Sequence, residues 1–326
     1  MDGPASEARS EPKASRATGP EARSEPKASE VIGQERAGLV FAALCALNSS
    51  FVPAFAKLTT GRADPLFVAA ATGLFAGIGC AVLLAARGEL SELWRGGRGP
   101  KLGALGALGT GLAFFLFYAG ASRSTAIETA LALQIEPAYS LLLSWLALGH
   151  RPTARRVAAL ALILAGIVLA LGVRTLDRSG GVLFLMATPI CWQLSHLLVL
   201  RKLPGTRPIV LTSARYVYGG GLLALAFGLS GRALPPAAEW WTLLPILALQ
   251  GLVLSLVGTL LWYRTISRLD LGRATAIVVP SIPVLSLGAS YLLLGEVATP
   301  RQWLGLLLTA AGVLAFVTGP AARARQ

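Results

Sequence analysis

The chain has 326 residues, of which 54% are hydrophobic and 14% charged, and its mean hydropathy is +0.64. Soluble domains carry about 25% charged residues, so this composition excludes an ordinary water-facing surface. The net charge of +13 would suggest nucleic acid on a soluble protein. Here the basic residues lie in short segments between apolar runs, which is the orientation signal of a membrane protein and not a phosphate-binding face. Cys45, Cys80 and Cys191 each stand alone inside an apolar run. With no CxxC and no Cys/His cluster, they read as small buried hydrophobes, and no metal, redox site or cofactor is expected.

Residues 1–36 form a polar tail in which Glu7–Ser15 (EARSEPKAS) returns as Glu21–Ser29. The charges nearly cancel and large apolar residues are almost absent. Such a segment cannot offset its ordering entropy by burial, so disorder is expected. It has no apolar h-region and does not read as a cleavable signal peptide.

Apolar runs follow. A span needs about 20 apolar residues, because the hydrocarbon layer is roughly 30 Å thick and a helix rises about 1.5 Å per residue. Ten candidates appear: 38–57, 65–86, 102–121, 124–148, 155–173, 180–200, 209–230, 240–263, 274–295 and 301–319. A transmembrane barrel would show shorter alternating segments instead, so the expected fold is an all-α membrane protein. Trp240 and Trp241 open the eighth span, and Trp262 and Tyr263 close it. The roughly 32 Å between Trp241 and Trp262 matches two interfacial belts.

With the N-terminus in the cytoplasm, the inner loops and C-terminus hold fifteen Lys and Arg, or twenty-one with the tail, against seven outside. This bias supports two cytoplasmic termini and an even number of helices.

The chain also repeats itself. Trp145–Arg155 (WLALGHRPTAR) aligns with Tyr291–Arg301 (YLLLGEVATPR) at an offset of 146, where Pro137 meets Pro283 and Gly166 meets Gly312. Upstream, at an offset of 145, Tyr118 meets Tyr263 and Ser122–Arg123 meets Ser267–Arg268. Each half holds five spans, so the second enters the membrane inverted relative to the first. Inverted repeats are the build of many secondary transporters, with the site near the midplane between halves. The implied organisation is a tail at 1–36, repeats at 37–173 and 174–319, and a short basic end at 320–326.

These residues resemble the EamA-type drug/metabolite transporters. The likeness runs through Phe117–Ser122 and Pro137 to Gly149 and Gly166 in the first half. In the second it runs through Trp262–Tyr263 and Pro283 to Gly295–Glu296 and Gly312. It implies ten helices in two five-helix repeats and movement of small metabolites, proton-linked or facilitated and often outward. The family tends to show Gly-Glu at the end of the penultimate helix of each repeat. Here the second half has Gly295–Glu296 and the first has Gly149–His150.

Eight of the ten span cores contain no Asp, Glu, Lys or Arg; the fourth has Glu128 and Glu136, and the seventh has Arg215. A charge at mid-bilayer costs at least about 2.5–3.5 kcal/mol on insertion scales, and such residues line cavities. Glu136 lies roughly 18 Å from the cytoplasmic end of its helix. Pro137 behind it frees the carbonyl of Leu133 and adds polarity. A carboxyl there can carry a proton or a cation; the alternative is a structural carboxylate held by Arg215 or by hydroxyls. Glu128 reads as a first-turn acid on the helix dipole. Arg215 either snorkels to the interface, binds an anionic group, or pairs with Glu136. Gln193 and His196 share a face of the sixth span, with Pro189 one turn earlier; His196 also reads as an interfacial histidine. Asn48, Gln134, Tyr139, Tyr216 and Gln250 suit hydrogen bonds between helices, and Gln134 and Tyr139 are kept as candidate binding residues beside Glu136. Pro280 and Pro283 flank Ser281 and should break the ninth span as Pro137 breaks the fourth. These two spans are therefore expected to line the cavity. Gly73, Gly77, Gly103, Gly106 and Gly109 read as packing faces.

The function expected is a secondary transporter working by alternating access on a small solute such as an amino acid or drug-like compound, with membrane lipid around it. Proton-coupled export fits, as does a homodimer. The other readings are a non-transporting membrane scaffold and an intramembrane enzyme. The second lacks HExxH, GxSxG and paired aspartates in the spans, so no catalysis is expected. No GxxxxGK[ST] loop exists for ATP-driven pumping. Twenty-four arginines against five lysines hint at a GC-rich genome, and in a prokaryote the address would be the inner membrane.

Overall fold

The computed structural model describes residues 28–149, 151–172, 180–269 and 271–317. Among them there is no strand, and ten helices are long and apolar enough to cross a membrane. They are α1 (Gly33–Thr60), α2 (Pro65–Ala85), α3 (Gly99–Ala121), α4 (Ala126–Ala147), α5 (Ala154–Leu171), α6 (Gly181–Lys202), α7 (Pro208–Leu229), α8 (Ala237–Ile266), α9 (Arg273–Leu294) and α10 (Pro300–Val317). The chain is a multi-pass integral membrane protein. Helical backbone of the first span begins earlier than its apolar run, at Ala28, inside the stretch read as polar tail; residues 1–27 lie outside the described residues.

Local chemistry sets the boundaries. Pro65, Pro208 and Pro300 stand in the first turns of α2, α7 and α10, where a missing N–H costs nothing. Asp64 caps α2 by accepting from the Leu66 N–H at 2.8 Å, and Thr153 caps α5 through the Arg156 N–H at 3.3 Å. Gly149 (φ 73°) and Gly295 (φ 66°) follow α4 and α9 in the left-handed region, which only glycine enters without strain. They are mates in the sequence repeat.

Helix packing reproduces the inverted repeat. α2 packs on α7, α4 on α9 and α5 on α10, while α1 packs on α8 and α9 as α6 packs on α3 and α4. The α5–α10 seam shows the register. A Cβ at Gly166 would meet the Gly305 carbonyl at 2.6 Å and Thr309 Oγ1 at 2.3 Å; one at Gly312 would meet the Ala159 carbonyl and the Ile163 nitrogen, each at 2.9 Å. Residues 159, 163 and 166 become 305, 309 and 312 at the offset of 146 read from the sequence. Gly73 meets Gly220 and Gly106 meets Gly219 in the same manner, whereas nothing approaches Gly103, so that glycine is not a packing face.

Two features depart from the sequence expectation. α3 turns π-helical over Ala107–Leu112 and α8 over Leu249–Val257, at matching places in the repeats. A π turn shifts the hydrogen-bond ladder and offers carbonyls to side chains. The Gly109 carbonyl accepts from Arg215 at 2.9 Å, Leu254 from Asn48 at 3.0 Å and Ser255 from the Tyr216 hydroxyl at 3.3 Å. Conversely, α9 runs as one helix through Pro280 and Pro283. The expected break there is absent, and the Ser281 hydroxyl takes up the Ile277 carbonyl at 2.6 Å.

Candidate functional site

α4 is broken where the sequence places its carboxyl. It is α-helical over Ala126–Ala132, tightens to a 3₁₀ turn at Leu133–Ile135, and resumes at Glu136 with Pro137 in the new first turn. The Leu133 carbonyl that Pro137 cannot serve accepts instead from the Glu136 N–H. The tightened turn thus satisfies the freed group locally, as helices in lipid must.

Glu136 is half-buried, and its Oε1 accepts from Gln193 Nε2 of α6 at 2.9 Å. Beyond this bond, toward the C-terminal halves of α4 and α6, lies a cavity of about 170 Å³. Ser140, Ser144, Gln193 and His196 give it polar walls, and Leu143, Leu197 and Leu200 complete the lining. The shared face expected for Gln193 and His196 is present, and it is a cavity wall. Gln134 is buried inside the 3₁₀ turn, and Tyr139 packs at the edge of the main apolar core. Neither is among the residues lining the cavity, nor are Glu136, Pro137, Arg215, Pro280, Ser281 and Pro283, so α6 and not α9 lines it together with α4.

Arg215 of α7 does not pair with Glu136: Gln193 holds the carboxyl and the Gly109 carbonyl holds the guanidinium. The Arg215 Nε is buried without a partner. Ser195 of α6 borders the same place, its Oγ 3.2 Å from where a Gly109 Cβ would lie. A Cβ at Gly109 would come within 2.8 Å of that Nε, so the missing side chain lets the guanidinium rest on the backbone of α3. Glu136, Gln193, His196 and Arg215 thus form one polar seam crossing α3, α4, α6 and α7.

A second network joins α1, α3 and α8. Tyr118 donates to Gln250 Oε1 at 3.3 Å, and Gln250 Nε2 donates to Thr59 at 3.2 Å. All three residues are buried. Asn48, Tyr216 and Gln250 thus bond between helices. Glu128 takes the first-turn place expected of it. It forms a capping box with Thr125, Thr125 N–H donating to Glu128 Oε2 at 2.9 Å and Glu128 N–H to Thr125 Oγ1 at 3.0 Å. Sequence reasoning gave Glu296 no structural task, yet its carboxylate accepts from the N–H groups of Ala126 at 3.0 Å and Ile127 at 3.1 Å. The Gly-Glu pair was the only signal for it. His150, its mate, lies outside the described residues.

The model of the EamA-like transporter family matches residues 36–172 and again 179–318. No curated protein matches the chain. Among solved structures, a crystal structure of a protein 20% identical to this chain superposes with a TM-score of 0.62, covering 86% of this chain and 97% of the other. At that identity the likeness extends to the fold.

Proposed function

The chain belongs to the EamA-like transporter family, and from this premise we propose that it is a secondary transporter moving a small solute by alternating access of its two repeats. The observation that carries the reading is the Glu136–Gln193 bond at the end of the α4–α6 cavity. It joins a carboxyl of the first repeat to an amide of the second, at a break in a membrane helix. Alternating access moves one repeat against the other, so a contact of this kind must change as the cavity changes sides. A carboxyl at that place can exchange a proton or a cation for its amide partner. Gln193, His196, Ser140 and Ser144 supply polar groups for a solute, and Arg215 sets the local field.

The charge distribution favours two cytoplasmic termini, and with them a cavity on the cytoplasmic side of Glu136. Proton-coupled export agrees with both. The test uses the purified full chain in liposomes. A thermal-shift screen of metabolites finds a solute, since binding raises stability by mass action, and its flux is then followed with and without a proton gradient. Glu136→Gln should lose the response to the gradient. Equal, gradient-responsive flux in that variant would remove Glu136 from the mechanism.

A further inference from the structure

We propose that Glu296 is a gate latch: it holds shut the end of the molecule where α9 finishes and α4 begins. The idea rests on the transporter reading and assigns a positioning role to a residue outside the polar seam. The first N–H groups of any helix lack intrahelical partners, and at α4 each of the first three is accounted for. Ala126 N–H goes to Glu296 Oε1, Ile127 N–H to Glu296 Oε2, and Glu128 N–H to Thr125. The two amides served by Glu296 therefore depend on the opposite repeat. Both bonds are charge-assisted and lie at the positive end of the helix dipole. Among the described residues no Lys or Arg forms an ion pair with Glu296. Gly295 turns the chain at φ 66° just before it.

The surroundings at this end are closed. Ala54 of α1, Ala126 of α4 and Ala289 of α9 are buried against one another, with Phe51 and Leu294 packed on them. The cavity lies on the other side of Glu136, along residues 140–144 and 193–200. Opening the sealed end requires α4 and α9 to part, which breaks both Glu296 bonds. The repeat mate of Glu296 is His150, a side chain with no carboxylate to span two amides. The two Glu296 bonds form only while this end is sealed, and they bias the resting population toward that state.

Amide hydrogen exchange on the full chain in lipid nanodiscs tests this. In Glu296→Ala, exchange at Ala126 and Ile127 should quicken by about tenfold to a hundredfold, the range spanned by hydrogen bonds to a charged group. Glu296→Gln, which keeps one acceptor oxygen, should give a smaller rise and serves if the alanine variant fails to fold. Peptides from the α5–α10 seam should not change. Unchanged amides in both variants would overturn the latch, as would a uniform rise through α4 and α9, which marks local unfolding. Flux is read separately in liposomes. Wild-type flux with unresponsive amides defeats the latch alone, and responsive amides without any wild-type flux defeat the transport reading.

Discussion

α4 breaks at Leu133–Ile135 and resumes at Glu136, while α9, its counterpart in the second repeat, runs unbroken through Pro280 and Pro283. Proline alone therefore does not decide where a membrane helix opens. In α9 the helix continues across its prolines, with the hydroxyl of Ser281 bonded back to Ile277. In α4 the break coincides with a carboxyl that bonds out to Gln193 on another helix. The repeat mates Pro137 and Pro283 thus stand in a tightened turn in one helix and in a continuous helix in the other. α3 and α8 behave differently again: both carry a π segment at the same place, so the inverted symmetry holds there and fails in α4 and α9.

The sharpest way to break this comparison is at the carboxyl. Glu136→Gln should lower gradient-driven flux by about tenfold to a hundredfold, the worth of a charged hydrogen bond. Ser281→Ala in α9 should change the same flux by less than about twofold, because its hydroxyl serves only its own helix. Equal losses would mean that the two helices work alike. The symmetric regions are tested at the α5–α10 seam. Gly166→Val and Gly312→Val should each destabilise the protein by roughly 1–3 kcal/mol through overpacking, in similar measure, as read from thermal unfolding in detergent. A large inequality would limit the symmetry to the backbone. Pro137→Ala restores a backbone donor and should slow exchange of the 133–136 amides and reduce flux severalfold. Pro283→Ala should alter neither, since α9 is already continuous.

The smallest effect belongs to the loop after α2, where Arg207 of the second repeat donates to Glu89 of the first at 2.8 Å. This hydrogen bond holds the Glu89 carboxyl below its ordinary value of 4.5. A lowered value in the folded protein means that the contribution is complete above the unfolded value and fades as pH falls through the folded one. Arg207→Gln should therefore narrow the difference in unfolding temperature between neutral and acidic pH. The narrowing should vanish in about 1 M salt, where the Debye length is about 3 Å. Its persistence at high salt would point to a packing loss instead.

Much of the fold is legible in the order of the residues. Ten apolar runs of spanning length, a Lys and Arg bias between them and an offset of 146 linking Gly166 to Gly312 lead directly to ten helices in two inverted sets. The α5–α10 contacts repeat that offset residue for residue. Glu136 is legible because a lone carboxylate in an apolar run is costly enough to stand out. Its partner is not. Arg215 and Gln193 are equally open to it, since a helix ruler measures depth and not the direction a side chain takes across the bundle. The π segments leave no trace either, for they arise where a helix yields to neighbours that its own residues do not specify.

The division follows from range. Hydrophobic length and charge placement are properties of residues near in sequence acting against lipid and water, and the repeat register is written in the order of residues itself, so the chain alone determined all three. Three matters depended on contacts between helices far apart in sequence: which carbonyl Arg215 would meet, which helix would open at its prolines, and which amides Glu296 would close. Each is a choice among several available hydrogen-bond partners, and only the packed bundle decides which of them come within reach.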